Sequence, residues 1–166
     1  MKLKTTFSGK MLAFDFTSDL LENELLYFLC KECNLSVIFL EIYSVDSRMK
    51  DLFQELYDLG FDTVSIPYKD KFQDIALKVD LSRIPVLIQM ISEYDFDEIT
   101  VWDGCTHWEQ HLFRKSARRK IEEEDTYRFY LCYNSSEKKV ELYCDPNFSP
   151  ENIINVIEFT TTYKMF

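Results

Sequence analysis

Glycine and proline are scarce, with 3 Gly and 4 Pro in 166 residues. So few leave little room for a glycine-rich phosphate loop or a flexible linker, and the chain reads as one domain spanning 1–166. Cationic side chains are the second shortage. Against 29 Asp and Glu stand 19 Lys and Arg, a net charge of −10. That balance disfavours direct nucleic-acid or anionic-lipid binding, which calls for a cationic footprint. No apolar run approaches the roughly 20 residues of a membrane span, and no signal-peptide core follows Met1. The 5 cysteines are an odd number. Without an export signal they are expected to be reduced thiols, and the chain is expected to be cytoplasmic.

What is plentiful is apolar and aromatic. A hydrophobic fraction of 46% and an aromatic fraction of 16% exclude a disordered chain. A chain of this length buries roughly 70% of its unfolded surface, enough for a real core.

The organising stretch runs from Leu35 to Tyr68. Leu35 to Tyr43 is nearly continuous in hydrophobicity and suits a strand buried on both faces. Asp46 or Ser47 can cap a helix carrying Met49, Leu52, Phe53, Leu56 and Leu59 at helical spacing. Gly60 ends that helix, and Thr63 to Tyr68 returns as a strand. Strand, helix and strand of this length predict a βαβ core in a mixed, largely parallel central sheet, flanked by two hairpins. The fold class is therefore α/β or α+β.

The flanks follow from shorter signals. Lys2 to Phe16 reads as a hairpin turning at Ser8-Gly9, with Leu3 opposite Phe14 and Thr5 opposite Leu12. Asp19 and Glu22 stand at capping-box spacing before a helix whose stripe is Leu21, Leu25, Phe28 and Leu29, ended by Asn34. Asp70 can cap a short helix carrying Phe72, Ile75, Ala76 and Val79. Ile84 to Ile91 suits a helix capped by Ser82 with Pro85 in its first turn, or a strand. In its strand form, roughly Leu35 to Gly104 resembles a thioredoxin-like layout, where an Ile-Pro pair (here Ile84-Pro85) opens a strand. The redox Cys-x-x-Cys of that family would fall at Val45-Asp46-Ser47-Arg48, which holds no cysteine.

Ile99 to Trp102 reads as a strand, and Thr106 with Glu109 caps a helix reaching about Glu124. Tyr127 to Cys144 reads as the second hairpin, pairing Leu131 with Val140 and Phe129 with Leu142. Ser149-Pro150 opens a last helix with Ile153, Ile154 and Ile157 inward.

Several constellations carry possible chemistry. Glu93, Tyr94, Asp95, Phe96, Asp97 and Glu98, with Trp102 and Asp103 close behind, set aromatic anchors in a negative field, as a binder of basic targets would. The equally ready reading is a merely acidic turn with Tyr94 and Phe96 tucked into the core. On the helix after Thr106, the residues His107, His111, Arg114, Lys115 and Arg118 share a cationic stripe that can hold an anion. The plainer reading is a solvated face, since Arg118, Arg119 and Lys120 sit four residues before Glu122, Glu123 and Glu124. Cys30 and Cys33 could supply two soft ligands to zinc, with Cys105, His107 and His111 as others. Structural thiols are the simpler reading, so no metal and no cofactor are expected.

An enzyme would use loops after parallel strands: if the strands before them are parallel, Asp46 and Asp103 share one rim and can hold a metal or act as base, with His107 as acid. The same residues serve equally as helix caps. No nucleophile elbow and no His-Glu-x-x-His is present. The leading expectation is a small acidic binding protein of inhibitor, immunity, antitoxin or adaptor type with a basic protein partner. The alternative is a small hydrolase or an anion- or nucleotide-responsive sensor.

Overall fold

The computed structural model describes residues 4–8, 11–44, 48–68, 72–103 and 129–163. Among these residues eight strands and five helices follow one another. They are β1 (Lys4–Ser8), β2 (Met11–Thr17), α1 (Leu20–Asn23), α2 (Leu25–Glu32), β3 (Val37–Ser44), α3 (Met49–Asp58) and β4 (Asp62–Tyr68). Then come β5 (Phe72–Asp80), a 3-10 turn over Leu81–Arg83, α4 (Ile84–Ile91), β6 (Glu98–Asp103), β7 (Phe129–Asn134), β8 (Lys139–Cys144) and α5 (Pro150–Tyr163). The strands make one sheet in the order β1-β2-β8-β7-β6-β3-β5-β4. The expected α/β class holds, and β3 is an interior strand, third from the β4 edge of the sheet.

Strand direction departs from expectation. Every neighbouring pair in the sheet is antiparallel. The strand–helix–strand unit β3-α3-β4 exists, but β5 lies between its two strands and pairs antiparallel with both. Thus β3 and β4 run the same way without touching. The cause is the stretch after Tyr68, where a short helix was expected and a strand is found. Ile75, Leu77 and Val79 alternate with Asp74, Ala76 and Lys78, and the first three are buried together with Asp74 and Ala76. The helical stripe omitted Leu77. A strand buries it and also gives the chain two hydrogen-bonding neighbours.

Both hairpins form, each displaced by two residues in register. Ser8 pairs with Met11 and Thr5 with Phe14, so Ser8 is a strand residue rather than part of the turn. In the second, Leu131 pairs with Leu142 and Tyr133 with Val140. Its connection takes the four residues Ser135 to Lys138. Asn134 Oδ1 accepts from the Glu137 amide at 3.1 Å, and Lys138 adopts φ 54°, a longer turn than two residues can make. A shift of two keeps each side chain on its face, so the burial pattern survives the change.

Helix ends follow local chemistry. Asp19 Oδ1 accepts from the Glu22 amide at 3.4 Å, and Asn34 and Gly60 take φ 56° and 83° at the ends of their helices. The single helix expected after Asp19 is broken into α1 and α2 at Glu24, φ 53°. A left-handed Glu costs roughly 1–2 kcal/mol. Glu24→Gly is therefore expected to raise stability by about 1 kcal/mol, a rise of roughly 2–4 °C in the thermal midpoint. A fall in the midpoint would show that the break carries other constraints. Ile84 to Ile91 is helical, with Pro85 in its first turn and Ile84, Leu87, Ile88 and Ile91 buried. Ile84-Pro85 therefore opens a helix, and the thioredoxin-like layout does not apply. The cap position belongs to Arg83 rather than Ser82, with no side-chain cap bond.

The sheet has two unlike faces. One buries Ile38, Leu40, Ile42, Ile75, Leu77, Val79, Ile99, Val101, Leu131 and Leu142, and all five helices contribute side chains to that core. The other, traced through the pairing, carries Phe39 beside Trp102 and Tyr130, and Glu41 beside Thr100 and Cys132. Phe39, Glu41, Asp74, Ala76, Thr100, Trp102 and Tyr130 on that second face are all buried. Among the described residues, no helix is long and apolar enough to cross a membrane.

Candidate binding surface around Tyr94

The segment from Ser92 to Asp97 joins α4 to β6 and is held by its backbone. The Ser92 hydroxyl donates to Gln89 O at 2.6 Å, and the Tyr94 amide donates to Ile91 O at 3.0 Å. Ser44 Oγ donates to Asp95 O at 2.8 Å, and the Asp97 amide to Tyr43 O at 2.9 Å. From the turn after β7, the Ser135 amide donates to Asp97 O at 3.0 Å, and its hydroxyl donates to Phe96 O. Phe96 turns inward against Tyr133, ring centroids 6.3 Å apart. Satisfied carbonyls and one buried ring fix the segment, while Glu93, Asp95 and Asp97 project into solvent.

Tyr94 is the half-buried centre of this surface. The Arg48 guanidinium lies 5.3 Å from its ring centroid and 3.8 Å from the Asp95 carboxylate. Asp95 is almost fully exposed, so that ion pair adds little to stability. Desolvation pushes the Tyr94 phenol up to about 12, helped by its hydrogen bond with Glu55 and by the charges of Glu55, Asp51 and Glu93. A phenol feeling three carboxylates reports a locally negative field. Asp51 and Glu55 are exposed one turn apart on α3, whose opposite side buries Met49, Leu52 and Leu56. The surface therefore groups Asp51, Glu55 and Glu93 around one aromatic ring, with Asp95 and Asp97 exposed on the same turn. Sequence reading missed Asp51 and Glu55, which lie some 40 residues from the turn; their i,i+4 spacing on an exposed helix face was the available signal.

The remaining members of the acidic and aromatic stretch are dispersed. Glu98 and Trp102 lie on the second face of the sheet, where Glu98 Oε1 accepts from the Thr100 hydroxyl at 3.5 Å. Trp102 is buried and stacks on Phe39, centroids 6.2 Å apart. Asp103 alternates to the helical side and is close enough for its charge to reach Cys30. Phe96, Trp102 and Asp103 are thus not part of the exposed surface that the sequence suggested.

The shared-rim condition for an enzyme fails. Because β6 is antiparallel to β3, Asp103 ends its strand beside the start of β3, whereas Asp46 follows the end of β3. The strand ends that precede the two loops therefore lie at opposite ends of this pair. Asp46 and His107 themselves lie outside the described residues, as do His111, Arg114, Lys115, Arg118 and Cys105. Cys30 and Cys33 are both buried at the end of α2. Burial, then Cys33, then Asp103 push the Cys30 thiol well above its ordinary value. Among the described residues no group of three or more His, Cys, Asp or Glu is placed to hold a metal ion.

Compared with protein-family models, with curated proteins and with solved structures, the chain matches none.

Proposed function

We propose that this chain is a binding protein of the inhibitor, immunity, antitoxin or adaptor kind, whose carboxylates around Tyr94 receive a basic protein partner. One observation carries the reading: Asp51 and Glu55 from α3 reach the half-buried Tyr94 phenol together with Glu93, and Asp95 and Asp97 are exposed on the same turn. Like charges gathered this way oppose folding slightly, so their use lies in what they attract. A rigid backbone beneath them limits the ordering cost on association. Tyr94 supplies the amphipathic ring that anchors such interfaces, and Arg48 is the near cation that an incoming Lys or Arg would displace.

The test is a charge reversal. Asp95→Lys with Asp97→Lys leaves the thermal midpoint nearly unchanged, because both side chains are exposed. The wild-type chain, immobilised and exposed to host extract at low and moderate salt, is expected to retain basic proteins that the variant loses. Asp62→Lys with Asp80→Lys reverses two exposed acids near the opposite end of the sheet and serves as the control. For a purified partner, association slows by roughly tenfold or more at low salt in the first variant and not in the second. Equal loss in both variants would reduce the surface to net charge alone. An association rate that ignores salt would place the attraction elsewhere.

A further inference from the structure

Helices α2 and α5 leave an open cavity between their outer sides, of about 300 Å³, lined by Phe28, Glu32, Asn152, Asn155, Val156 and Phe159. The four α5 residues fall at i, i+3, i+4 and i+7, so they form one stripe along the helix. This stripe is distinct from the one that packs inward, which uses Ile153, Ile157 and Thr160. Phe159 is 60% exposed, an unusual position for a phenylalanine, and meets Phe28 edge-on with centroids 6.5 Å apart. Tyr27, outside the lining, meets Phe28 edge-on at 5.6 Å.

We infer that this groove docks a basic amphipathic helix of a partner protein. Its volume sits at the floor of the range for small-molecule sites, and its lining mixes two aromatic rings with two amides. An open cavity between two helices suits instead the mode in which apolar anchors at i, i+4 and i+7 of a helix enter a groove. Charge selects the sign of the occupant. Glu32 is in the lining, Glu24 follows the same side of α2, and Glu151 and Glu158 are exposed on α5 beside the stripe. Lys31 is the one cation between them on α2. Asn152 and Asn155 offer donors and acceptors to polar groups at the rim. The inference does not rest on the Tyr94 surface, which belongs to other elements of the fold.

The probe is a synthetic peptide of about 18 residues with Leu at i, i+4 and i+7 and Lys on its other positions, titrated by fluorescence anisotropy. Controls are a scrambled peptide of the same composition and a counterpart with Glu replacing Lys. The wild-type protein is expected to bind the Leu-Lys peptide saturably and to prefer it to both controls. Phe159→Ala, at an exposed position, and Glu32→Lys are each expected to weaken binding by roughly tenfold. Asp95→Lys with Asp97→Lys is expected to leave it nearly unchanged. Equal binding of the scrambled peptide, tighter binding of the Glu peptide or no saturation at millimolar peptide would each overturn the proposal. Loss of binding in the Asp95/Asp97 variant with Phe159→Ala unaffected would also overturn it, while leaving the Tyr94 reading intact.

Discussion

Trp102→Ala is expected to lower stability by about 3–5 kcal/mol, among the larger losses any single substitution would cause here. The indole is 1% exposed and stacks on Phe39 at an interplanar angle of 29°. It also lies opposite Tyr130 on the neighbouring strand, in the middle of the sheet's second face. Its indole nitrogen finds no hydrogen-bond partner among the described residues, so truncation removes packing alone. In a chain of this size the loss corresponds to a fall of roughly 6–20 °C in the thermal midpoint. Trp102→Phe keeps an aromatic ring against Phe39 and is expected to recover more than half of the difference. A midpoint within about 2 °C of wild type for Trp102→Ala would show that this face is not packed as described.

The second large effect distinguishes two conformations of one stretch. As part of β5, Leu77 is fully buried between Leu40 of β3 and Thr63 of β4. As part of the helix that the sequence suggested, it would fall outside the stripe of Phe72, Ile75, Ala76 and Val79. Leu77→Ala is therefore expected to cost about 2–5 kcal/mol, visible as a lower urea midpoint at unchanged slope. Lys78→Ala, one residue on and exposed, is expected to cost clearly less than Leu77→Ala. If both variants unfold at the wild-type urea concentration, the strand assignment is wrong.

The candidate surface was only partly legible. Glu93, Asp95 and Asp97 stood out as exposed acids because three carboxylates in five residues cannot all be buried without partners. Phe96 and Trp102 could not be assigned to inside or outside from the same stretch. Their direction depends on where β6 begins and on which strand it pairs with, and both are set by residues far along the chain. Asp51 and Glu55 join the surface only because the segment after α4 is tied to the end of β3, close to the start of α3.

Short-range chemistry determined a good deal of this protein from the sequence alone. Asp19 caps a helix, Asn34 and Gly60 end helices in the left-handed region, and β3 is apolar enough to be buried on both faces. These choices depend on a residue and its neighbours within about one turn, so local pattern suffices. Tertiary structure decided the rest. Inserting β5 between β3 and β4 turns a parallel pair into an antiparallel trio, and no local signal names a strand's partner. Hairpin register behaves likewise, because a slip of two residues keeps every side chain on its face and the turn geometry must break the tie. Hydrogen bonding along a strand edge is the same for every sequence; only the packing of the whole sheet against its helices selects which edges meet.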